Sequence, residues 1–270
     1  MPAAVGVQVV VSKFIFRGST FIRAYPRPSA ALKLLSLRLG VLGGEYNGAM
    51  SLILASASPR RQELLRAAAI EFTVEVANLP EVPHPGEAPR QFAERMAREK
   101  AWAMAQRSRP GEWVLAADTV VFVNGEILGK PADAPDPAAD AARMLRLLSA
   151  REHQVITGVC LVEGGQWSVA SGQKGSAVDR QPPAVDSRVG RPPSAVDFVA
   201  AETTRVWMDP LSQNDIRDYI ATGEPMDKAG AYAIQGRASR WIPRIEGCYF
   251  NVVGLPVPLV YRMLREHGIV

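Results

Sequence analysis

The sequence predicts an α/β protein in which helices flank a mixed, twisted sheet. Apolar runs such as 52–55 and 113–123 are typical of buried strands, whereas the amphipathic segment 89–107 is typical of a helix. The dipeptide Asn124-Gly125 predicts a tight hairpin and therefore an antiparallel strand pair. Because helices and hairpins alternate along the chain, parallel and antiparallel strands should share one sheet.

The first predicted helix begins directly after strand 52–55. Ser58 is expected at its N-cap and Pro59 at its first helical position. Asp136 and Pro137 give the same signal for a later helix. The other predicted strands are 72–76, 155–162, 166–170 and 203–208, the other predicted helices are 137–148, 212–222 and 256–267, and residues 78–87 form a loop.

The composition excludes several classes of protein. With 270 residues, 47% of them hydrophobic and 21% charged, the chain is neither collagen-like nor wholly disordered. No apolar run reaches the roughly 18 residues of a membrane span, so we expect no membrane partner. Cys160 and Cys248 stand far apart and the three histidines are scattered. This argues against a disulfide framework or a zinc site and fits a cytoplasmic protein.

The positive charge of the chain is concentrated in residues 1–49. This segment holds six basic residues and one acidic residue, and the remainder is close to neutral, so we expect no nucleic-acid partner. Such a composition is typical of an organellar transit peptide. We favour a misplaced start, with Met50 as the first residue, or else a disordered arm, because the first strand pattern follows Met50 at once. The predicted domain spans residues 50–270.

Residues 172–199 interrupt the order of helices and strands. The tripeptide Ala-Val-Asp occurs there three times, twice after a pair of prolines, and large apolar side chains are few. Such a segment cannot bury enough surface to offset the entropy of ordering, so it predicts a disordered insertion in a hairpin connection. A proline-rich ligand for a partner domain is the alternative.

A cluster at 55–61 joins the first strand to the first helix. The N–H groups at a helix N-terminus attract anions, yet Arg60 and Arg61 place further positive charge there. An anionic ligand would account for this accumulation of charge, so the cluster indicates a phosphate site. The alternative is a helix start whose charges are simply solvated.

Asp118 stands inside the apolar run 113–123. A carboxylate is rarely buried without a partner. Asp118 is therefore a structural hydrogen-bond acceptor, a metal ligand or a general base, and the residues around it leave these alternatives open.

Two glycine-containing segments add candidate ligand contacts. Residues 125–131 resemble a P-loop, but the segment is one residue short and Pro131 stands where a Ser or Thr would bind magnesium. Only Lys130 is retained, as a phosphate contact. Residues 223–236 combine acidic, basic, glycine and amide groups without a long apolar face, which suits ligand contact. Together these features indicate a phosphorylated substrate and a divalent metal.

Seven motifs follow one another along the chain: SASPRR at 56–61, AREKA at 97–101, ADTVV at 117–121, GKP at 129–131, TGV at 157–159, EPMDKAGAYAIQG at 224–236 and IEGCYFNVVGLP at 245–256. In this order they resemble the motifs of the Maf family of nucleoside triphosphate pyrophosphatases. The resemblance covers the chain from about residue 50 to its C-terminus, except 172–199. It implies two lobes around a cleft, similar to the inosine-triphosphate pyrophosphatase fold.

The resemblance also implies an activity and a set of site residues. A nucleoside triphosphate would be hydrolysed to the monophosphate and pyrophosphate with a divalent cation, Mg²⁺ or Mn²⁺. Asp118 corresponds to the proton acceptor of the family, and Asp118 and Glu81 would hold the metal. The phosphate contacts would be Ser58, Arg61, Lys100, Lys130 and Lys228.

Three further positions divide the Maf family by substrate. Arg60, Thr119 and Gln235 follow the pattern of members that act on dTTP and UTP, and members that act on 7-methyl-GTP differ at all three positions. The resemblance therefore implies a dTTP/UTP pyrophosphatase that removes these or modified pyrimidine nucleotides from the nucleotide pool. The alternative is a non-catalytic nucleotide-binding regulator of septum formation, against which Asp118 and the lysines argue. A homodimer is left open.

Overall fold

The computed structural model describes residues 51–77, 79–165 and 197–270. They form a seven-stranded mixed sheet flanked by helices, as the sequence predicts. The strands are β1 (Leu52–Ala55), β2 (Thr73–Glu75), β3 (Trp113–Val123), β4 (Glu126–Leu128), β5 (Glu152–Glu163), β6 (Asp197–Trp207) and β7 (Arg244–Glu246), and the helices are α1 (Pro59–Ala67), α2 (Pro89–Ala105), α3 (Pro137–Leu148), α4 (Gln213–Ile220), α5 (Tyr249–Val253) and α6 (Val257–Glu266).

The strand order is β2-β1-β3-β5-β6-β7, and β4 pairs with β3 beside this path. β1 runs parallel to both β2 and β3, whereas all other pairs are antiparallel. None of the helices in these three ranges is long and apolar enough to cross a membrane.

Capping residues begin two of the helices at the predicted places. Asp136 accepts the N–H of Ala139 at 3.0 Å at the start of α3. Ser212 accepts the N–H of Asp215 at 3.1 Å at the start of α4. Each bond satisfies an N–H group that has no partner within the helix. Ser58 occupies the N-cap of α1, but its side chain makes no capping hydrogen bond.

The predicted C-terminal boundary of the insertion is wrong. Residues 197–199 belong to β6, which starts six residues before the predicted strand 203–208. Asp197 pairs with Val162 of β5, and Arg98 Nε donates to its carboxylate at 2.8 Å. This ladder and ion pair order residues that their composition alone assigned to the insertion. The rest of 172–199, the predicted strand 166–170 and residues 1–50 lie outside the described residues.

Side chains of β3 alternate between two layers of helix. Val114, Ala116 and Val120 pack against α2 on one face of the sheet. On the other face, Leu115 and Ala117 belong to a cluster with α1 and α6, whereas Val121 and Val123 belong to a second cluster with α3 and α4. Since neighbouring side chains of a strand point to opposite faces, residues 118 and 119 project into different layers.

One edge of β3 is only partly paired. β1 pairs with residues 113–115 and β4 with residues 121–123, while β5 covers the other edge from Trp113 to Phe122. Between these two stretches, at residues 116–120, no strand in the described part of the chain pairs with the edge that β1 and β4 share. The middle of β3 is therefore open at the side of the sheet, and Asp118 and Thr119 lie in that opening.

Helix α2 crosses the sheet at a glycine. A Cβ added to Gly158 of β5 would lie 2.2 Å from the carbonyl oxygen of Ala93, which is backbone of α2. Gly158 pairs with Asp118 in the β3–β5 ladder. The missing side chain thus allows α2 to pack directly on the strand pair that carries Asp118.

We expect Gly158→Ala to lower the free energy of unfolding by about 1–3 kcal/mol, because the added methyl group must push the α2 backbone away. Urea denaturation measures the change. Gly129→Ala is the matched control, since nothing lies within 4 Å of a Cβ added there. Equal stability of the two variants would contradict the proposed constraint.

Candidate active site

A cavity of about 630 Å³ lies at the open stretch of β3. Its wall comes from the end of β1, the first turn of α1, helix α2 and the loops that follow β2, β4, α4 and α5. All ten residues assigned to the site from the sequence line it: Ser58, Arg60, Arg61, Glu81, Lys100, Asp118, Thr119, Lys130, Lys228 and Gln235.

The Lys100 side chain bridges two carboxylates. Its Nζ atom donates to Asp118 Oδ1 at 2.6 Å and to Glu81 Oε1 at 2.5 Å. Lys100 and Asp118 are only 7% and 4% exposed. Buried charges of this kind are retained where each has a partner, and here one ammonium serves both anions. The Nζ atom that the sequence assigned to a phosphate therefore fixes the spacing of two carboxylates.

Glu81 is held by a second lysine. Lys130 Nζ donates to Glu81 Oε2 at 2.9 Å. Burial by itself would raise the pKa of Glu81, but Lys100 and Lys130 outweigh it and lower this pKa from 4.5 to about 2. The carboxylate is therefore ionised throughout the neutral range.

Arg61 projects from the first turn of α1 and is tied to neutral acceptors. Nε donates to the carbonyl of Gly254 at 2.8 Å, Nη1 to Ser56 Oγ at 3.0 Å and Nη2 to Thr119 Oγ1 at 3.1 Å. Burial lowers the pKa of Arg61 below its ordinary value, and the charges of Asp118 and Glu81 oppose that effect. A partly desolvated guanidinium with neutral partners, at a helix N-terminus, attracts an anion.

The rest of the first turn of α1 adds to this positive region. It contains no acidic residue. Burial lowers the pKa of the neighbouring Arg60 as well, and the charges of Asp227 and Glu224 oppose that effect. Ser58 lines the cavity, and its side chain makes no capping hydrogen bond. The start of α1 thus contributes two arginines and a serine to the lining of the same cavity.

Thr119 belongs to a layer of neutral polar groups. Its Oγ1 lies 2.9 Å from Thr157 Oγ1, and Thr157 Oγ1 donates to the carbonyl of Asn251 at 3.3 Å. Asn251 Nδ2 donates to Val155 O at 2.9 Å and to Thr204 Oγ1 at 3.0 Å. These bonds connect β3, β5, β6 and α5, so the position of Thr119 depends on all four elements.

The loop after α4 supplies the remaining predicted residues. Lys228 Nζ contacts the carboxylate of Asp227, and both residues line the cavity. Gln235 lies further along the loop, with its side chain exposed in the cavity. The segment 224–236 thus adds a lysine and an amide to the lining of the cavity.

Comparison with known proteins decides the family. The model of the family described as Maf-like protein matches residues 51–267. The chain belongs to the Maf family. A relative from Koribacter versatilis is 49% identical over 224 residues, which are 83% of this chain and 98% of the relative. One from Syntrophomonas wolfei is 46% identical over 215 residues, 80% of this chain and 96% of the relative. Both carry the name dTTP/UTP pyrophosphatase.

Among solved structures, the chain matches one described as nucleoside-triphosphatase, dITP/XTP pyrophosphatase, from Mycobacterium abscessus. The match covers 60% of this chain and 76% of that chain at 14% identity, with a TM-score of 0.30.

Several cavity residues of this Maf-family chain were not predicted as site residues. Ser56, Glu63, Asp227 and Tyr232 all line the cavity. Ser56 lies in the motif at 56–61, and its role as an acceptor for Arg61 depends on the turn between β1 and α1. Asp227 and Tyr232 lie in the motif at 224–236, so the motifs could have indicated them. For Glu63 the sequence gives no indication of a place in the site other than its position one helical turn after Pro59.

The donor set fits a metal that arrives with its ligand. Asp118 and Glu81 are both ligands of the hard-cation type, and Lys100 holds them at the same wall of the cavity. No cluster of three or more His, Cys, Asp or Glu residues suited to a metal occurs within the described ranges. Mg²⁺ is commonly held by one or two carboxylates together with substrate phosphates, so two carboxylates are enough.

We expect Lys100→Met to change the acid stability of the protein. A carboxylate with a lowered pKa stabilises the folded state above its ordinary pKa, and that stabilisation is lost as the pH falls through the folded value. For Glu81 this window runs from 4.5 down to about 2. Removing the Lys100 cation should raise the folded-state pKa of Glu81 towards its ordinary value, so the stabilisation above pH 4.5 should be smaller and its loss should be complete at a higher pH. Urea denaturation across this pH range measures it.

The control for this prediction is Glu81→Gln, which removes the titrating carboxyl. Its free energy of unfolding should depend less on pH in the same window than that of the unchanged protein. Identical pH profiles for the three proteins would show that the contacts of Glu81 with Lys100 and Lys130 do not couple to stability.

Proposed function

We propose that this protein hydrolyses dTTP and UTP to the nucleoside monophosphate and pyrophosphate. The observation that carries the proposal is one cavity lined by the Lys100-bridged Asp118 and Glu81, by five cationic side chains and by the triplet Arg60, Thr119 and Gln235. The names of the Koribacter and Syntrophomonas relatives support the same activity.

The charges suit a triphosphate. Pyrophosphate leaves with high negative charge, and cations aimed at that charge lower the barrier most in a cavity with little water. Arg61 has only neutral partners in its hydrogen bonds, so its charge is available to the phosphates. Lys228 lines the same cavity and adds a further cation. We assign Ser58 and Lys130 to further phosphate oxygens.

Asp118 is the group that we assign to the attacking water. Water adds to the α-phosphorus. The bond from that phosphorus to the oxygen shared with the β-phosphorus breaks, and pyrophosphate departs with the electrons of that bond. Lys100 holds the carboxylate of Asp118 through Oδ1 and so orients its second oxygen. That oxygen would position the water and accept its proton.

A divalent cation, Mg²⁺ or Mn²⁺, belongs to the proposal. Asp118 and Glu81 would hold it together with phosphate oxygens. When bound, such a cation neutralises phosphate charge and polarises the reacting groups. The contribution of the protein is to space the two carboxylates through Lys100 and to keep Glu81 ionised through Lys100 and Lys130.

The base would be read by Arg60, Thr119 and Gln235. Thymine and uracil present a ring N–H between two carbonyl oxygens. The oxygen of a glutamine amide can accept that ring N–H, and the NH₂ group of the amide can donate to one of the carbonyl oxygens. Cytosine lacks that ring N–H and has an amino group at one carbonyl position. It would leave polar groups unpaired, at about 1–3 kcal/mol per group. Since Thr119 is hydrogen-bonded to Arg61, its contribution is made partly through that guanidinium.

A role in the nucleotide pool follows from this activity and would place the protein in the cytoplasm with its substrates. No observation within the described residues favours the non-catalytic alternative, in which the protein regulates septum formation. A homodimer and the absence of a nucleic-acid partner stay predictions.

We expect Asp118→Asn to reduce kcat at least about 100-fold, because the amide cannot accept a proton from the water and binds a cation poorly. Pyrophosphate release from dTTP measures the rate. The variant keeps the shape of the side chain, and its folding is checked by urea denaturation. Asp140→Asn is the matched control, because Asp140 pairs with Arg143 on α3. Near-normal turnover in a folded Asp118→Asn variant would refute the assignment.

We expect kcat/KM to be higher for dTTP and UTP than for CTP, GTP and 7-methyl-GTP. Gln235→Glu removes the amide donor and should reduce the preference for dTTP over CTP about tenfold. Gln213→Glu is the control, since Gln213 contacts Arg146 on the surface. A preference of the unchanged protein for CTP or 7-methyl-GTP would overturn the proposed base reading.

A further inference from the structure

Glu224 lies behind the segment 233–237, in which Gln235 is the central residue. Glu224 is not among the residues that line the cavity. Its Oε1 and Oε2 accept the backbone N–H of Arg237 at 3.0 and 3.2 Å. One carboxylate therefore holds the C-terminal end of this segment, which we call the 233–237 loop.

A tyrosine holds the other end of the same loop. Tyr219 of α4 donates its hydroxyl hydrogen to Glu224 Oε1 at 2.8 Å, and its oxygen accepts the N–H of Ala233 at 3.1 Å. The side chain is fully buried, and its ring packs edge-on against Trp241 with centroids 5.4 Å apart. Glu224 and Tyr219 thus form one hydrogen-bonded unit that binds both ends of the loop.

The loop also leaves space for this carboxylate. A Cβ added to Gly236 would lie 2.1 Å from Glu224 Oε1. The carboxylate therefore fills the place that a side chain at 236 would need. Within the loop, the N–H of Gly236 donates to the carbonyl of Ala233 at 3.0 Å, so Gln235 sits in a tight turn whose two ends are both anchored.

We propose that Glu224 is a positioning residue that sets base selectivity through Gln235 without touching the nucleotide. The inference rests on the proposed function of Gln235 as a base-reading residue. A glutamine on a mobile backbone can shift as a whole relative to the base, which costs ordering entropy on binding and weakens its discrimination, so a backbone anchored at both ends supports selectivity. The buried Tyr219 and the charge-assisted bond from Arg237 N–H fix that backbone.

Glu224→Gln is the informative substitution because it keeps size and removes one acceptor. Glu224 Oε1 accepts both the Tyr219 hydroxyl and the Arg237 N–H, whereas Oε2 accepts only the Arg237 N–H. An amide NH₂ in place of Oε2 would face that backbone N–H donor, and the bonds to Oε1 would lose the assistance of the negative charge. Tyr219→Phe releases the Ala233 end and keeps the ring in the core. Glu112→Gln is the matched control, since Glu112 accepts the backbone N–H of Arg109 at 2.7 Å in a turn that does not line the cavity.

The test compares kcat/KM for dTTP and for CTP in the unchanged protein, Glu224→Gln, Tyr219→Phe, Gln235→Ala and Glu224→Gln/Gln235→Ala. We expect Glu224→Gln and Tyr219→Phe each to lower the dTTP-to-CTP ratio about tenfold, mainly by raising KM for dTTP. In the Gln235→Ala background the Glu224→Gln change should leave the ratio unaltered, since contacting residues that act together are not additive. Glu112→Gln should match the unchanged protein.

Two further readouts separate positioning from general damage. The affinity for inorganic tripolyphosphate, measured by calorimetry, should stay within about twofold, because this probe has no base. Hydrogen exchange at the amides of Ala233 and Arg237 should accelerate in both single variants. The inference would be overturned if Glu224→Gln and Tyr219→Phe left the dTTP-to-CTP ratio unaltered, or if they lowered the affinity for tripolyphosphate in parallel. It would also be overturned if Glu224→Gln kept its full effect on the ratio in the Gln235→Ala background.

Failure of the proposed function is visible separately. It would appear in the unchanged protein, as a preference for a nucleotide other than dTTP or UTP. The ratio is then taken between the best and the worst nucleotide, and the same comparison of variants decides whether Glu224 acts through Gln235.

Discussion

The ion pair of Lys100 with Asp118 and Glu81 is the interaction on which the rest of the site depends. It joins helix α2 to a strand and a loop whose carboxylates lie 18 and 19 positions away in the sequence, and it brings two anions to one wall of a cavity without leaving either unpaired. An ammonium on α2 can reach β3 only if the helix lies directly on the sheet. That contact is made at Gly158, opposite Asp118 in the ladder.

The alternation of β3 divides the site into two halves. Asp118 projects toward α2 and the carboxylate–lysine group, whereas Thr119 projects toward α1 and hydrogen-bonds to Arg61. Two consecutive residues therefore serve the two faces of the sheet, which is possible because no described strand covers this stretch of the β3 edge. A ligand in the opening can contact both layers at once.

Local signals in the sequence account for most of the fold, and long-range pairing accounts for what they missed. The apolar run of β3 and the cap at Asp136 are properties of a few adjacent residues, so the sequence predicted them. The bridge from Lys100 to Glu81 depends on strand order and on the path of the loop after β2, which no local pattern contains. The same holds for the first half of β6, whose partly exposed residues gain their order from β5.

The β5–β6 ladder runs without interruption from Glu152 paired with Trp207 to Val162 paired with Asp197. Both chain ends of the connection between these strands are therefore held in register, and Arg98 adds an ion pair at the last position. The entropic cost of closing a loop between fixed ends grows only with the logarithm of its length. A longer connection would therefore cost little more free energy, and Gly158, four residues before Val162 in β5, would keep its place opposite Asp118.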